Sequence, residues 1–201
     1  RRRLIHSINM PKNIAEASFS NLSMTAERQD VIQELINFIE KYTPDKNEYH
    51  KGLYLSGPFG VGKTYMMGAL ANQISQKGVE ITLVNVPTFS FEMKQAISTN
   101  KVEEKLLKIK ETPILVLDDI GAEMKSAWFR DEVLMVILQY RMLQELPTFF
   151  TSNFDFNELE EHFSVSGQNN EETLKAKRLI ERIRFLAKEY FVDGINHRNP
   201  S

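Results

Sequence analysis

Residues 57–64 read Gly57-Pro58-Phe59-Gly60-Val61-Gly62-Lys63-Thr64 and satisfy G-x-x-x-x-G-K-[ST] at every defined position. Glycine at the fixed positions frees the backbone to turn consecutive N–H groups inward onto phosphate oxygens. A helix opening near Lys63 adds the positive end of its dipole to the same anion. Lys63 is then placed to reach β- and γ-phosphates, and the Thr64 hydroxyl to bind Mg²⁺. The chemistry expected of these eight residues is the holding of ATP with its magnesium ion.

Ile114-Leu115-Val116-Leu117-Asp118-Asp119 sets two acids at the end of an apolar run. Asp118 is the candidate to orient Mg²⁺ through its water shell. Asp119 is the candidate to position or activate the attacking water in phosphoryl transfer. Asn153 closes Thr148-Phe149-Phe150-Thr151-Ser152, and its amide can both donate and accept. It either contacts the γ-phosphate or caps the next helix. Lys175, Lys177, Arg178, Arg182, Arg184 and Lys188 crowd one late segment, with Arg178 and Arg182 four apart on one helical face. That segment is either a solvated basic face or the source of an arginine for a neighbouring subunit's ATP, a role that suits a permanently charged, bidentate guanidinium.

These groups meet only if the intervening chain brings them to one edge of a sheet. Val31, Ile32, Leu35, Ile36 and Ile39 recur at helical spacing after Thr25, so a helix is expected to end before Pro44. Residues 43–51 read as a polar loop. Gly52-Leu53-Tyr54-Leu55-Ser56 reads as a buried strand running into the glycine loop, and a helix follows Lys63 as far as Gly78. Further strands are expected over 79–86, 113–117, 148–151 and 189–192. Helices are expected from Pro87, over about 128–144, near 155–162 and over about 171–188, the last preceded by a break at Gly167-Gln168-Asn169-Asn170. Residues 1–25 lack periodicity and read as an extended lead-in. Strands alternating with helices, and apolar throughout, imply an α/β fold: a doubly wound, parallel, five-stranded sheet with helices on both faces.

The bulk numbers bound this reading. A chain of 201 residues suits one α/β domain, and 42% hydrophobic with 26% charged residues suffices for a buried core. A formal net charge of −2 argues against a purely electrostatic nucleic-acid binder while leaving room for a local basic face. With no cysteine, disulfides and cysteine-ligated zinc are excluded from this chain. No apolar run approaches the ~20 residues of a membrane span and no signal-peptide pattern is present, so a cytoplasmic protein without membrane contact is expected. The Arg1-Arg2-Arg3 opening lacks an initiator Met and reads as a cut from a longer protein.

The phosphate loop, Leu117-Asp118-Asp119-Ile120-Gly121-Ala122-Glu123, Trp128, Arg130-Asp131-Glu132-Val133-Leu134, Tyr140-Arg141, Pro147 to Asn153 and Arg178 with Glu181-Arg182-Ile183 occur in that order. Together they resemble the AAA+ P-loop ATPase domain of the DnaC/DnaI family of bacterial primosomal helicase loaders, over nearly the whole chain. The lead-in with Met10-Pro11, Ala17, Ser18 and Phe19 also resembles that family's entry into the domain. By the resemblance, 57–64 is Walker A, Asp118-Asp119 Walker B, Asn153 sensor 1 and Arg182 the arginine finger, with Arg178 the second choice. It implies residues 1–25 as a linker from an N-terminal zinc-binding, helicase-contacting domain, and 26–201 as the ATPase domain. The stretch 79–110 is similar to an insertion that lines single-stranded DNA in related replication ATPases. Lys94, Lys101, Lys105 and Lys108 are there either phosphate contacts or ordinary surface.

The implied function is ATP-dependent loading of the replicative hexameric helicase, with single-stranded DNA binding, self-association through the ATP site and weak hydrolysis completed by a neighbouring subunit. Asp119 stands where many AAA+ proteins carry Glu, which points to slow turnover, and no complete C-terminal lid domain follows residue 192 to supply a sensor 2 arginine. A transposition helper ATPase of the same fold and a nucleotide-gated binding module with negligible catalysis are the alternatives.

Overall fold

The computed structural model describes residues 4–22, 25–44, 47–166 and 169–193. The Arg1-Arg2-Arg3 opening and the Gly167-Gln168 part of the expected break lie outside them. Six strands, β1 (Ile5–Ile8), β2 (Gly52–Ser56), β3 (Ile81–Asn85), β4 (Ile114–Asp118), β5 (Thr148–Ser152) and β6 (Ala187–Phe191), form one sheet in the order β1-β3-β4-β5-β2-β6. Every pairing is parallel.

The sheet has six strands rather than the expected five. The extra strand is β1, four residues from the lead-in, which registers Ile5 against Ile81 and Ile8 against Val84. It is short, at an edge, and held by a partner far along the chain, so no local pattern announces it. The rest of the lead-in forms two 3-10 turns, Lys12–Glu16 and Phe19–Asn21. Asn72 of the second helix straps the first turn down, its amide donating to the carbonyls of Ile14 at 3.3 Å and Ala17 at 2.8 Å.

Strand alternation divides the interior into two cores. Leu53, Leu55, Ile81, Leu83, Ile114, Val116 and Phe149 pack against α1 (Ala26–Lys41) and α2 (Lys63–Gln76). Tyr54, Val84, Leu115, Leu117 and Phe150 face the other side. They meet α3 (Val86–Ser98), α4 (Val102–Glu111), α5 (Met135–Leu143), α6 (Phe156–Phe163) and α7 (Asn170–Leu186). Successive strand residues thus feed opposite layers, as a doubly wound sheet demands.

Two helices differ in detail from the expectation. The helix opened by Pro87 stops at Ser98, and α4 restarts at Val102 after Asn100 takes φ +55°. Asn tolerates that left-handed conformation better than most residues, which is why the chain reverses there. The helix expected over 128–144 begins as a π-helical stretch, Phe129–Leu134, before becoming α5. Its Arg130, 1% exposed, donates to Asp131, to Glu172 of α7 and to the Phe163 carbonyl at the end of α6. The widened turn thereby carries a buried cation that joins three helices.

Arg141 is the other large buried cation on this side of the sheet, 0% exposed. It donates to the carbonyls of Lys110, Thr112, Pro113 and Pro147 and to the Thr148 hydroxyl, at 2.6–3.3 Å. Four of those five acceptors lie at the amino ends of β4 and β5 and the fifth in the last turn of α4, so one guanidinium ties the entries of both central strands.

Candidate nucleotide-binding site

The carboxyl ends of β2, β4 and β5 lie side by side and bring Lys63, Thr64, Asp118, Asp119, Thr151 and Asn153 around one cavity of about 550 Å³. That volume falls within the range of small-molecule sites. The glycine loop runs from β2 into α2, with φ of +146° at Gly57, +81° at Gly60 and +94° at Gly62. Gly57 is required for a second reason. A Cβ there would sit 2.0 Å from the Val192 carbonyl oxygen, because the chain leaving β6 crosses directly behind the loop. Pro58, Phe59, Gly60 and Val61 fill the four variable positions; Phe59 is 65% exposed on the rim, whereas Val61 is buried.

Lys63 is 8% exposed and its ammonium donates to the carbonyls of Gly57 and Pro58, each at 2.7 Å, and to Asn153 Oδ1 at 3.3 Å. Asn153 therefore lies within hydrogen-bond reach of the loop lysine. Burial pulls the Lys63 ammonium down to about 8, against the opposing attraction of Asp119 and Asp118.

Asp118 Oδ1 accepts from Thr64 Oγ1 at 2.9 Å and from Thr151 Oγ1 at 2.6 Å. Burial pushes its carboxyl above the usual carboxylate range, with the two hydroxyl donors pulling it back. Asp119 is raised too, first by burial. It takes φ +61°, and its N–H donates to Thr151 Oγ1 at 2.9 Å. One threonine hydroxyl thus holds the first acid's side chain and the second acid's backbone.

A hydroxyl and a carboxylate oxygen 2.9 Å apart form a hard-oxygen pair of the kind that shares Mg²⁺ with phosphate oxygens. Among the described residues no group of three or more His, Asp or Glu side chains could hold a metal ion by itself. The Thr64 hydroxyl and the Asp118 carboxylate are donors of the type that fits such an ion.

Sequence reasoning missed several contributors. Thr151 was one of three polar residues ending β5, and only the pairing of β5 beside β4 reveals it as the bridge. Arg28, 0% exposed, donates to the Val61 carbonyl and anchors the loop apex to α1. Its signal was readable, since Arg28 shares a helix face with Val31, Ile32 and Leu35. Asn9, Pro11, Asn13, Ile14, Asn21 and Leu22 of the lead-in line the cavity, as does Tyr65 of α2.

The remaining expected residues lie elsewhere. Arg182 and Arg178 are on α7 and do not line this cavity. The Arg182 guanidinium donates to Gln139 Oε1 at 2.9 Å and to the Arg178 carbonyl at 3.0 Å, while Arg178 is exposed. Lys101, Lys105 and Lys108 are exposed along α4, and Lys94 is half-buried on α3. Among the described residues no helix is long and apolar enough to cross a membrane.

A family model described as IstB-like ATP binding protein matches residues 1–187. The replicative helicase loader DnaI of Bacillus subtilis (strain 168) is 42% identical over 198 residues, covering 98% of this chain and 63% of that protein. The chain therefore spans under two thirds of that relative's length. The crystal structure of DnaI superposes with a TM-score of 0.83 at 42% identity, covering 97% of each chain. The DnaC helicase loader shares the fold, with a TM-score of 0.75 at 22% identity over 91% of this chain and 100% of that one. The DnaC/DnaI resemblance and the AAA+ fold expected from the motif order both hold.

Proposed function

The chain belongs to the IstB-like ATP-binding protein family, and from that premise we propose that it is the ATPase domain of a DnaI-type loader of the replicative hexameric helicase. The observation that carries this reading is the convergence of Lys63, Thr64, Asp118, Asp119 and Asn153 on one cavity at the carboxyl edge of the sheet. Lys63 exchanges its loop carbonyls for β- and γ-phosphate oxygens. Thr64 and Asp118 would hold Mg²⁺, which would supply charge neutralisation at the phosphates. Asp119 orients the attacking water, and Asn153 reads the γ-phosphate.

Hydrolysis is slow in a lone subunit, because among the described residues no arginine lines the cavity. Arg182 supplies it to a neighbour after leaving Gln139, and the more exposed Arg178 is the second candidate. A guanidinium delivered in this way is worth on the order of 10³-fold or more in rate. Subunits thus self-associate through the ATP site. Lys101, Lys105 and Lys108, spaced four and three apart, put three ammonium groups on one side of α4 for single-stranded DNA, with Lys94 adjoining from α3.

Pull-down of the full-length protein against replicative helicase, with and without ATP, tests the reading. Capture that depends on ATP and is lost in Lys63→Ala supports it; capture of a transposase in place of the helicase replaces it with the helper reading. Mixing Arg182→Ala with Asp119→Asn subunits restores turnover if the arginine acts across the interface. Turnover in neither the mixture nor any wild-type assembly leaves a nucleotide-gated binding module.

A further inference from the structure

Asp119 holds a left-handed backbone conformation, φ +61°, which is uncommon outside glycine though Asp adopts it more readily than most residues. The turn that follows is pinned at every amide. The Asp119 N–H donates to Thr151 Oγ1, Ile120 to the Thr151 carbonyl at 3.0 Å, Gly121 to Glu123 Oε2 at 2.7 Å and Ala122 to the Asp119 carbonyl at 3.2 Å. The Ile120 carbonyl accepts from Ser152 Oγ at 2.6 Å. Three of those four donors are satisfied by β5 or by the turn itself. The remaining one, Gly121, depends on the Glu123 carboxylate.

Glu123 is 5% exposed, an unusual place for a carboxylate. Its second oxygen meets His162 Nε2 of α6 at 3.3 Å, in a pair whose side chains are 2% and 9% exposed. The His162 ring lies against Phe163 and Phe154, with centroids 5.1 Å and 6.0 Å away. Gly121 presses into the same wall, where an added Cβ would stand 2.7 Å from Phe154 Cδ2 and 2.9 Å from Leu159 Cδ1. The turn bearing the acid pair therefore rests on α6, and α6 packs on α7, which carries Arg178 and Arg182.

We propose that Glu123 and His162 form a positioning pair that fixes the Asp119 turn onto α6 and so makes the geometry of the water-orienting carboxylate depend on where the α6–α7 unit sits. The proposal rests on the reading of Asp119 given above. Neither residue lines the nucleotide cavity, so both act through the turn rather than on the nucleotide. A shift of α7 on engaging a neighbouring subunit would pass through α6 and the pair to Asp119.

Steady-state turnover and nucleotide affinity are compared for wild type, Glu123→Ala, Glu123→Gln, His162→Ala and Asp119→Asn. Glu123→Ala is expected to lower kcat by about 10- to 100-fold, the scale of a catalytic group misplaced by an ångström. KM and nucleotide affinity should stay within about 2-fold, because ligand contacts are untouched. Glu123→Gln still accepts from Gly121 and should recover most of the rate, whereas a side chain that merely fills space would give the same kcat in Ala and Gln. His162→Ala should fall between wild type and Glu123→Ala, and it decides the matter if Glu123→Ala does not fold. Unchanged kcat in both Ala variants beside a dead Asp119→Asn overturns the pair; full turnover in Asp119→Asn overturns the underlying reading instead. Hydrogen exchange of residues 117–124 needs no turnover. It should quicken in His162→Ala, and unaltered protection there overturns the pair as well.

Discussion

Lys63 and Arg141 are both buried cations held by backbone carbonyls, yet they stand at opposite ends of the same strands and do opposite work. Arg141 donates to five oxygens around the amino ends of β4 and β5, one of them in the last turn of α4. Lys63 donates to two carbonyls of its own glycine loop and an amide oxygen, all at the carboxyl ends. A planar fork with five donors can be fully engaged once and left so; a compact ammonium can exchange its partners. Burial lowers both groups, to about 9 for Arg141 and about 8 for Lys63. The lesson is that charge at the amino edge of this sheet is committed to architecture, and charge at the carboxyl edge is kept exchangeable for a ligand.

The largest expected effect separates the two edges outright. Arg141→Met strands several buried carbonyls and should cost about 3–5 kcal/mol of unfolding free energy in a denaturant titration. Folded molecules should bind nucleotide with unaltered affinity; a selective loss of affinity would place Arg141 in the site and break the contrast. Lys63→Ala should do the reverse, weakening nucleotide binding by ~100-fold or more, about 2.7 kcal/mol, with little change in stability. Thr151→Val tests the ground between. It removes the hydroxyl that serves Asp118 and Asp119 and should cost about 1–2 kcal/mol of stability. It should also weaken magnesium-dependent nucleotide binding, measured by calorimetry with and without the ion.

The smallest effect is one of pH. The folded chain holds the Lys63 proton to about 8, and the unfolded chain to its ordinary 10.5. Between those values the unfolded state carries more protons, so this group's contribution to stability rises with pH across that window and is flat below it. Phosphate oxygens beside Lys63 restore its proton. Nucleotide binding at pH 8.5 should therefore take up protons, seen as a buffer-dependent enthalpy, while binding at pH 7 should not.

Much of the carboxyl edge was legible in the sequence because motif chemistry is local. Gly57 to Thr64 must be contiguous to wrap one phosphate chain, and Asp118-Asp119 must end a strand. Asn153 could be singled out because it follows Thr151-Ser152 at the end of a strand whose centre is Phe149-Phe150. The amino edge was opaque. Arg141 appeared only as part of a motif, since its acceptors lie up to 31 positions away in sequence. Glu123 read as one more residue of the Walker B stretch, for burial of a carboxylate depends on a histidine 39 positions on. β1 escaped for the same reason, as its pairing with β3 spans the whole of α1, β2 and α2. Long-range satisfaction of charge and edge pairing leave no periodic trace.

The crossing of Val192 behind Gly57 has a consequence for how the molecule comes into being. β2 and its loop are synthesised early, but both neighbours of β2 come late: β5 at 148–152 and β6 at 187–191. Val192 N donates to the Ser56 carbonyl at 2.7 Å, and Gly57 N to the Ser152 carbonyl at 3.2 Å, so the loop's base is closed by the last stretch of described chain. Contacts of such sequence separation slow folding, because loop closure is paid for before the contact forms. A chain still short of β6 has its phosphate motif written but the base of the loop unclosed, so nucleotide binding is expected to wait for β5 and β6 to pair beside β2.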